Sequence, residues 1–186
     1  VTSQSGSVKV YRIVVTRKAS SDASLKSLSV EGYRIEPEFD STTTDYRLTV
    51  PYSATNITVN ASVNHSEASY EVIGNNDLKV GSNTVKVIVT AEDGTKDTYT
   101  IMVTREKDPD NTLKSLNLTN CTLSPEFNSN ITSYSCTVEN SVTATTVTAI
   151  ANSSEASISG DGEHNLNVGE NTIHIEVTAQ NESTKT

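Results

Sequence analysis

The chain has 186 residues and a net charge of −9, enough for one or two domains with real cores. The acidity excludes a nucleic-acid-binding surface, which needs clustered Lys and Arg, and no apolar run approaches the ~20 residues of a membrane-inserted helix. Tryptophan is absent, Phe occurs twice and Met once, so any core must be built mainly from Val, Ile, Leu and Tyr.

In chain order, "KVYRIVVTR" at 9–17 alternates apolar and polar residues and predicts a half-buried strand ending in a charged stop. In "LKSLSVEGYRIEPEFD" at 25–40, Pro37 precedes Phe39 and suits a kink or an edge rather than a central strand. Ile57, Val59, Ala61 and Val63 alternate with polar residues at a period of two, as do Val85, Val87 and Val89. Between these two runs the Val80-Gly81 pair marks a tight turn. "EDG" at 92–94 then turns the chain into a strand carrying Tyr99, Ile101 and Val103. "REKDPDNT" at 105–112 is polar and contains proline, the signature of a link. No segment keeps helical spacing over three turns.

From residue 113 the series begins again. "LKSLSVEGYRIEPEFDSTTTDYRLTV" (25–50) lies over "LKSLNLTNCTLSPEFNSNITSYSCTV" (113–138) without a gap, at an offset of 113 − 25 = 88. More than 30 of the 74 positions from 25–98 against 113–186 are identical, so the register is secure. The same offset lays Tyr11, Ile13 and Val15 over Tyr99, Ile101 and Val103, and Pro125 and Phe127 under Pro37 and Phe39. The expected division is therefore 1–17 as the last strand and part of the hairpin of a preceding repeat, 24–105 as a first repeat, 106–112 as linker and 113–186 as a second repeat. That second repeat ends at Thr186, over Thr98, without positions equivalent to 99–105. Six or seven short strands in 80–90 residues predict an all-β class, as tandem antiparallel Ig-like sandwiches.

The combined pattern L-K-S-L, P-E-F, V-G-x-N-T, V-T-A and Y-x-I-x-V-T-R resembles the cadherin-like β-sandwich repeats found in tandem in secreted and cell-surface proteins. The resemblance covers essentially the whole chain. It implies an Ig-like fold, an extracellular or surface location and a spacer or scaffold role, with no catalytic residues and no cofactor to carry over. No signal-peptide pattern is present, so a secreted protein would be seen here as a mature form or a fragment. The acidic calcium motifs of true cadherins are missing. Glu106, Asp108 and Asp110 offer at most a weak cation site, with a solvated linker the preferred reading, and no metal is expected. His65, His164 and His174 lack metal-ligand spacing, and no nucleophile motif such as GxSxG occurs, so an enzyme is not expected.

Three sets of candidate site residues remain. Cys121 and Cys136 align with Tyr33 and Leu48, and two positions that change together to cysteine point to contact. Two free buried thiols are one outcome, while the implied extracellular setting favours a disulfide. Asn-x-Ser/Thr sequons stand at Asn56, Asn60, Asn64, Asn117, Asn120, Asn130, Asn152 and Asn181, and a eukaryotic or archaeal source would place N-glycans on several of them. Last, Val10, Tyr11, Ile13 and Val15 form a spare strand of the type the second repeat lacks. The expected partner is the protein itself in a head-to-tail polymer, with donated strands or one longer covalent array as the two ways to fill the same slot. The alternative is an adhesion or carbohydrate-binding module with glycans as partners. Tyr33, Tyr46, Tyr52 and Tyr70 are its aromatic candidates, although Tyr46 and its counterpart Tyr134 read better as core.

Overall fold

The computed structural model describes Val1, residues 4–6 and residues 8–186, and the statements below concern those residues. Thr2, Ser3 and Ser7, part of the expected 1–17 strand and hairpin, lie outside them. The chain is all-β, with no helix among the described residues.

The first repeat contains β1 (Leu25–Val30), β2 (Asp45–Val50), β3 (Val59–Val63), β4 (Ser69–Ile73), β5 (Gly81–Thr90) and β6 (Lys96–Arg105). A two-stranded sheet, β1–β3, faces a four-stranded sheet ordered β2–β6–β5–β4. Apolar residues at alternate positions of β2, β5 and β6 point between the sheets, as their period of two requires. In β1, Leu25 and Leu28 are three apart yet both buried, because a register shift between Leu25 and Ser27 rephases the strand. Ile57 is buried too, but the ladder begins only at Val59, two residues later than the alternation predicts.

β6 is the keystone of this sandwich. It runs parallel to β2, with Tyr46 opposite Ile101 and Leu48 opposite Val103, and antiparallel to β5 along ten residue pairs from Gly81↔Arg105 to Thr90↔Lys96. Tyr99, Ile101 and Val103 are 0% exposed and lie in one core cluster with Leu25, Leu28, Val30, Tyr46, Leu48 and Val50. The buried Tyr99 hydroxyl accepts from the Leu25 amide at 3.0 Å and donates to the Ser41 carbonyl at 3.2 Å, so its polar end is satisfied.

The second repeat contains β7 (Leu113–Leu118), β8 (Ala144–Ala151), β9 (Ser157–Ser159), β10 (Gly162–Asn165), β11 (Glu176–Thr178) and β12 (Thr184–Lys185). Two three-stranded sheets result, β10–β8–β7 and β12–β11–β9. Even the register shift recurs, between Leu113 and Ser115. Two expected strands differ. Residues 133–138, over β2, form only an isolated bridge between Ser124 and Ser135, and the ten-residue β5 shrinks to the three residues of β11. The reason lies in the first repeat, where both strands are zipped by β6. Without that partner they have no ladder to join.

Residues 9–17 form no named strand either, although their sequence alternates like β6. Period-two patterning specifies a strand only where a second strand is present to pair with it.

Candidate functional site

The two repeats share the β1–β3 and β7–β8 pairing and the β4–β5 and β9–β11 pairing, and the site is what the place of β6 becomes in the second. Leu113, Leu116, Leu118, Tyr134, Val138, Ile173 and Ile175 are half-buried, and Cys136 is exposed. Their counterparts Leu25, Leu28, Val30, Tyr46, Val50, Val85, Val87 and Leu48 are all buried in the first repeat. These eight side chains line one groove of about 1080 Å³, with Phe127, Val147, Leu166 and Val177 completing its floor and sides. One wall is residues 133–138, the counterpart of β2. The other is 169–177, the counterpart of most of β5.

The first wall is held in place without a ladder. The Tyr134 hydroxyl donates to the Asn128 carbonyl at 2.6 Å and to that of Ile131 at 2.9 Å, as Tyr46 does to Asp40 and Thr43. Phe127 stacks on Tyr134 with ring centres 6.1 Å apart, matching Phe39 on Tyr46. Ser124 and Ser135 exchange two backbone hydrogen bonds of 2.8 Å. Cys121 and Cys136 form a disulfide with Cα atoms 5.9 Å apart, tying this wall to the turn after β7. The first repeat has Tyr33 and Leu48 there, and no covalent tie.

The second wall ends in a loop that matches its counterpart bond for bond. Asn171 accepts from the Asn167 amide and donates to the Asn167 and Gly169 carbonyls, as Asn83 does with Lys79 and Gly81. In the first repeat Asn83 also reaches β6 itself, donating to the Val103 carbonyl at 3.4 Å.

At the other end of the chain, Val10, Tyr11, Ile13 and Val15 are all exposed; the last three are 69%, 85% and 86% exposed, against 0% for Tyr99, Ile101 and Val103. This arm has a fixed root. Arg17 pairs with Glu92 at 2.7 Å, the Ser20 amide donates to the other Glu92 oxygen at 2.9 Å, and the Asp93 amide donates to the Ser20 carbonyl at 3.0 Å. Between the repeats the linker docks in the same way, with Asp108 on Gln180 at 2.9 Å and Asn181 on the Asp108 carbonyl at 3.1 Å. The linker is thus not the solvated strip its sequence suggests. Asp108 is buried, and its carboxylate accepts from Ser153 Oγ at 2.5 Å. Asp110 accepts from Thr112 and Asn152, and those hydrogen bonds hold its carboxyl below the usual range. No cluster of three or more metal-ligating side chains occurs among the described residues.

The remaining candidates are dispersed. All eight sequon asparagines are exposed, but Asn64 and Asn152 already donate through Nδ2 to Asp22 and Asp110. Tyr33 packs at the edge of the core and Tyr52 lies beneath Arg105, while Tyr70 is exposed on β4. Arg105 has a role that its place in the sequence does not announce. Its Nε donates to the Tyr52 carbonyl at 2.8 Å, a terminal nitrogen donates to the Leu78 carbonyl at 2.8 Å, and the guanidinium sits 4.8 Å from the Tyr52 ring centre. The repetition of Val-Thr-Arg at 15–17 and 103–105 was its only signal.

A family model described as cadherin-like beta sandwich domain matches residues 25–106 and 113–186. A comparison with curated protein sequences finds no match. No helix among the described residues is long and apolar enough to cross a membrane.

Proposed function

Since the chain belongs to the family of cadherin-like beta sandwich domains, matched over both repeats, we propose that it is a non-enzymatic structural protein outside the cell. In this reading its repeats join head to tail into a fibre or surface stalk. Val10, Tyr11, Ile13 and Val15 of one copy enter the groove of the second repeat in the next and supply what β6 supplies in the first. The observation that carries the proposal is a match of pattern and place. The arm repeats the Tyr-x-Ile-x-Val of a strand that is fully buried in the first repeat, and the groove lies where that strand belongs.

Strand addition of this kind combines main-chain pairing with side-chain pockets. The arm and the groove are different surfaces, so each contact leaves a free arm and a free groove, and the assembly grows without closing. The docked linkers support a regular fibre, because the root of the arm and the inter-repeat link are built by the same bonds. N-glycans on the sequons whose Nδ2 is not engaged by Asp22 or Asp110 belong to the same extracellular reading.

Sedimentation and direct imaging of the purified chain test the proposal. Filaments are expected, and Ile13→Asp should leave a folded monomer that forms none. A chain that stays at 20.0 kDa at every concentration would defeat the head-to-tail contact. Denaturing electrophoresis of native fibres then separates the two sources of the strand. A single band near the monomer mass means donated strands, and a very large covalent species means one continuous array.

A further inference from the structure

Resting on the head-to-tail reading, we infer that Arg17 fixes the register of the donated strand. Its guanidinium leaves Glu92 and donates to two main-chain carbonyls, of Asn140 and Leu166, at the end of the neighbour's groove. The acceptor geometry is on view in the first repeat. There Arg105, two residues past Val103, ties the end of β6 to the turn at Tyr52 and the loop at Leu78. The 88-residue offset lays Arg17 over Arg105, Tyr52 over Asn140 and Leu78 over Leu166. The receiving loop is already built: the Leu166 amide donates to the Thr143 carbonyl at 2.8 Å, as Leu78 does to Thr55 at 2.9 Å.

A register lock is needed because the apolar residues of the arm do not set one. Tyr11, Ile13 and Val15 are all apolar, and a slip of two residues still places an apolar side chain at two of their three groove positions. A planar guanidinium donating to two carbonyls on separate loops accepts one position only. In the unslipped register Tyr11 lies against Ile175, Ile13 against Ile173 and Tyr134, and Val15 against Asn171 and Cys136, following the pairs Tyr99↔Val87, Ile101↔Val85, Tyr46↔Ile101, Asn83↔Val103 and Leu48↔Val103.

Glu92 makes this a choice between two states. Its counterpart in the second repeat is Gln180, which keeps the linker bond through Oε1 but carries no charge for an arginine. In the free chain Glu92 therefore holds the arm by a guanidinium that is 75% exposed, and docking exchanges that ion pair for the carbonyl clasp.

The test uses the full chain, with the concentration for half-assembly read by sedimentation. Arg17→Ala should raise that concentration roughly 10- to 100-fold, the range for hydrogen bonds to a charged group, without changing the thermal unfolding of the monomer. Arg17→Lys should recover only part of it. Glu92→Gln keeps the bond to Ser20 and frees the arm, and should lower the concentration by about two- to fivefold. Register is read separately by cysteine cross-linking. Val14→Cys with Thr172→Cys, aligned on the pair Met102 and Thr84, should link neighbouring copies, while Val14→Cys with His174→Cys should link only when Arg17 is also replaced. If Arg17→Ala assembles at the wild-type concentration and gives the wild-type cross-link, the clasp is wrong and the head-to-tail reading stands. If the wild-type chain neither assembles nor cross-links between copies, both fall.

Discussion

Replacing Cys121 and Cys136 by alanine should destabilise the second repeat alone. The bond closes a loop of 15 residues, for which the chain-entropy relation gives about 3 kcal/mol at 25 °C. That is a large share of the roughly 5–15 kcal/mol that small domains have in total. The second repeat starts low in that range, because seven residues aligned with the first repeat's core are only half-buried and an eighth is exposed. At about 4–8 °C per kcal/mol for a domain of this size, its melting should fall by about 12–24 °C. The first repeat has no cysteine and serves as an internal control. Calorimetry resolves the two transitions, and hydrogen exchange read peptide by peptide assigns them, with the largest gain in exchange expected over 133–138. Restoring the first repeat's residues, as Cys121→Tyr with Cys136→Leu, should not recover the loss in the free chain, since position 136 faces the open groove rather than a core. Two unchanged transitions, or equal shifts in both, would show that the disulfide does not hold the groove wall.

Ile13→Ala and Ile101→Ala remove the same side chain from aligned positions with opposite consequences. Ile101→Ala should cost the first repeat about 2–5 kcal/mol by denaturant unfolding, because Ile101 is fully buried, whereas Ile13→Ala should leave monomer stability unchanged and weaken assembly. Acid should weaken the first repeat before the second. Hydrogen bonds from Ser24, Thr42 and Thr95 hold Asp22, Asp40 and Asp93 below the ordinary value of 3.8. A depressed carboxylate contributes stability that is complete above 3.8 and lost as pH falls below it. Asn128 and Asn181 make the same turns in the second repeat without titrating, and of the three counterparts only Asp110 is a carboxylate. Melting curves between pH 5 and 2 check the order of loss.

Much of this was legible in the sequence because it is local or periodic. The offset of 88 aligned the repeats, and alternation identified Val85, Val87, Val89, Tyr99, Ile101 and Val103 as core. What alternation cannot report is whether a strand has a partner. Residues 133–138 carry the same pattern as β2 and yet form no ladder, because that ladder depends on a strand more than fifty residues away in β2's own case. The contacts of the linker escape the sequence for a related reason. Its Asp residues look solvated in sequence, but Asp108 and Asp110 bond to Asn152, Ser153 and Gln180, more than forty positions downstream. In sequence Arg105 only opens the polar stretch 105–112, and its two carbonyl partners reveal a clasp.

In the proposed assembly, docking and folding of the second repeat draw on the same side chains, which would link its stability to concentration. An arm entering the groove covers Leu113, Leu116, Tyr134, Ile173 and Ile175 and buries its own Tyr, Ile and Val, each contributing roughly 1.5–3 kcal/mol when fully buried. A partner that binds only the folded groove stabilises it by mass action, about 2.7 kcal/mol at a hundred times the dissociation constant. At the same conversion per kcal/mol, the second transition should rise by about 11–22 °C between dilute and concentrated chain. The first transition, whose β6 is supplied by its own chain, should stay put. The two transitions should therefore approach one another as assembly proceeds and separate again on dilution. Two transitions that keep their spacing over a thousandfold range of concentration, while filaments form, would mean that the contact between copies lies somewhere other than the groove.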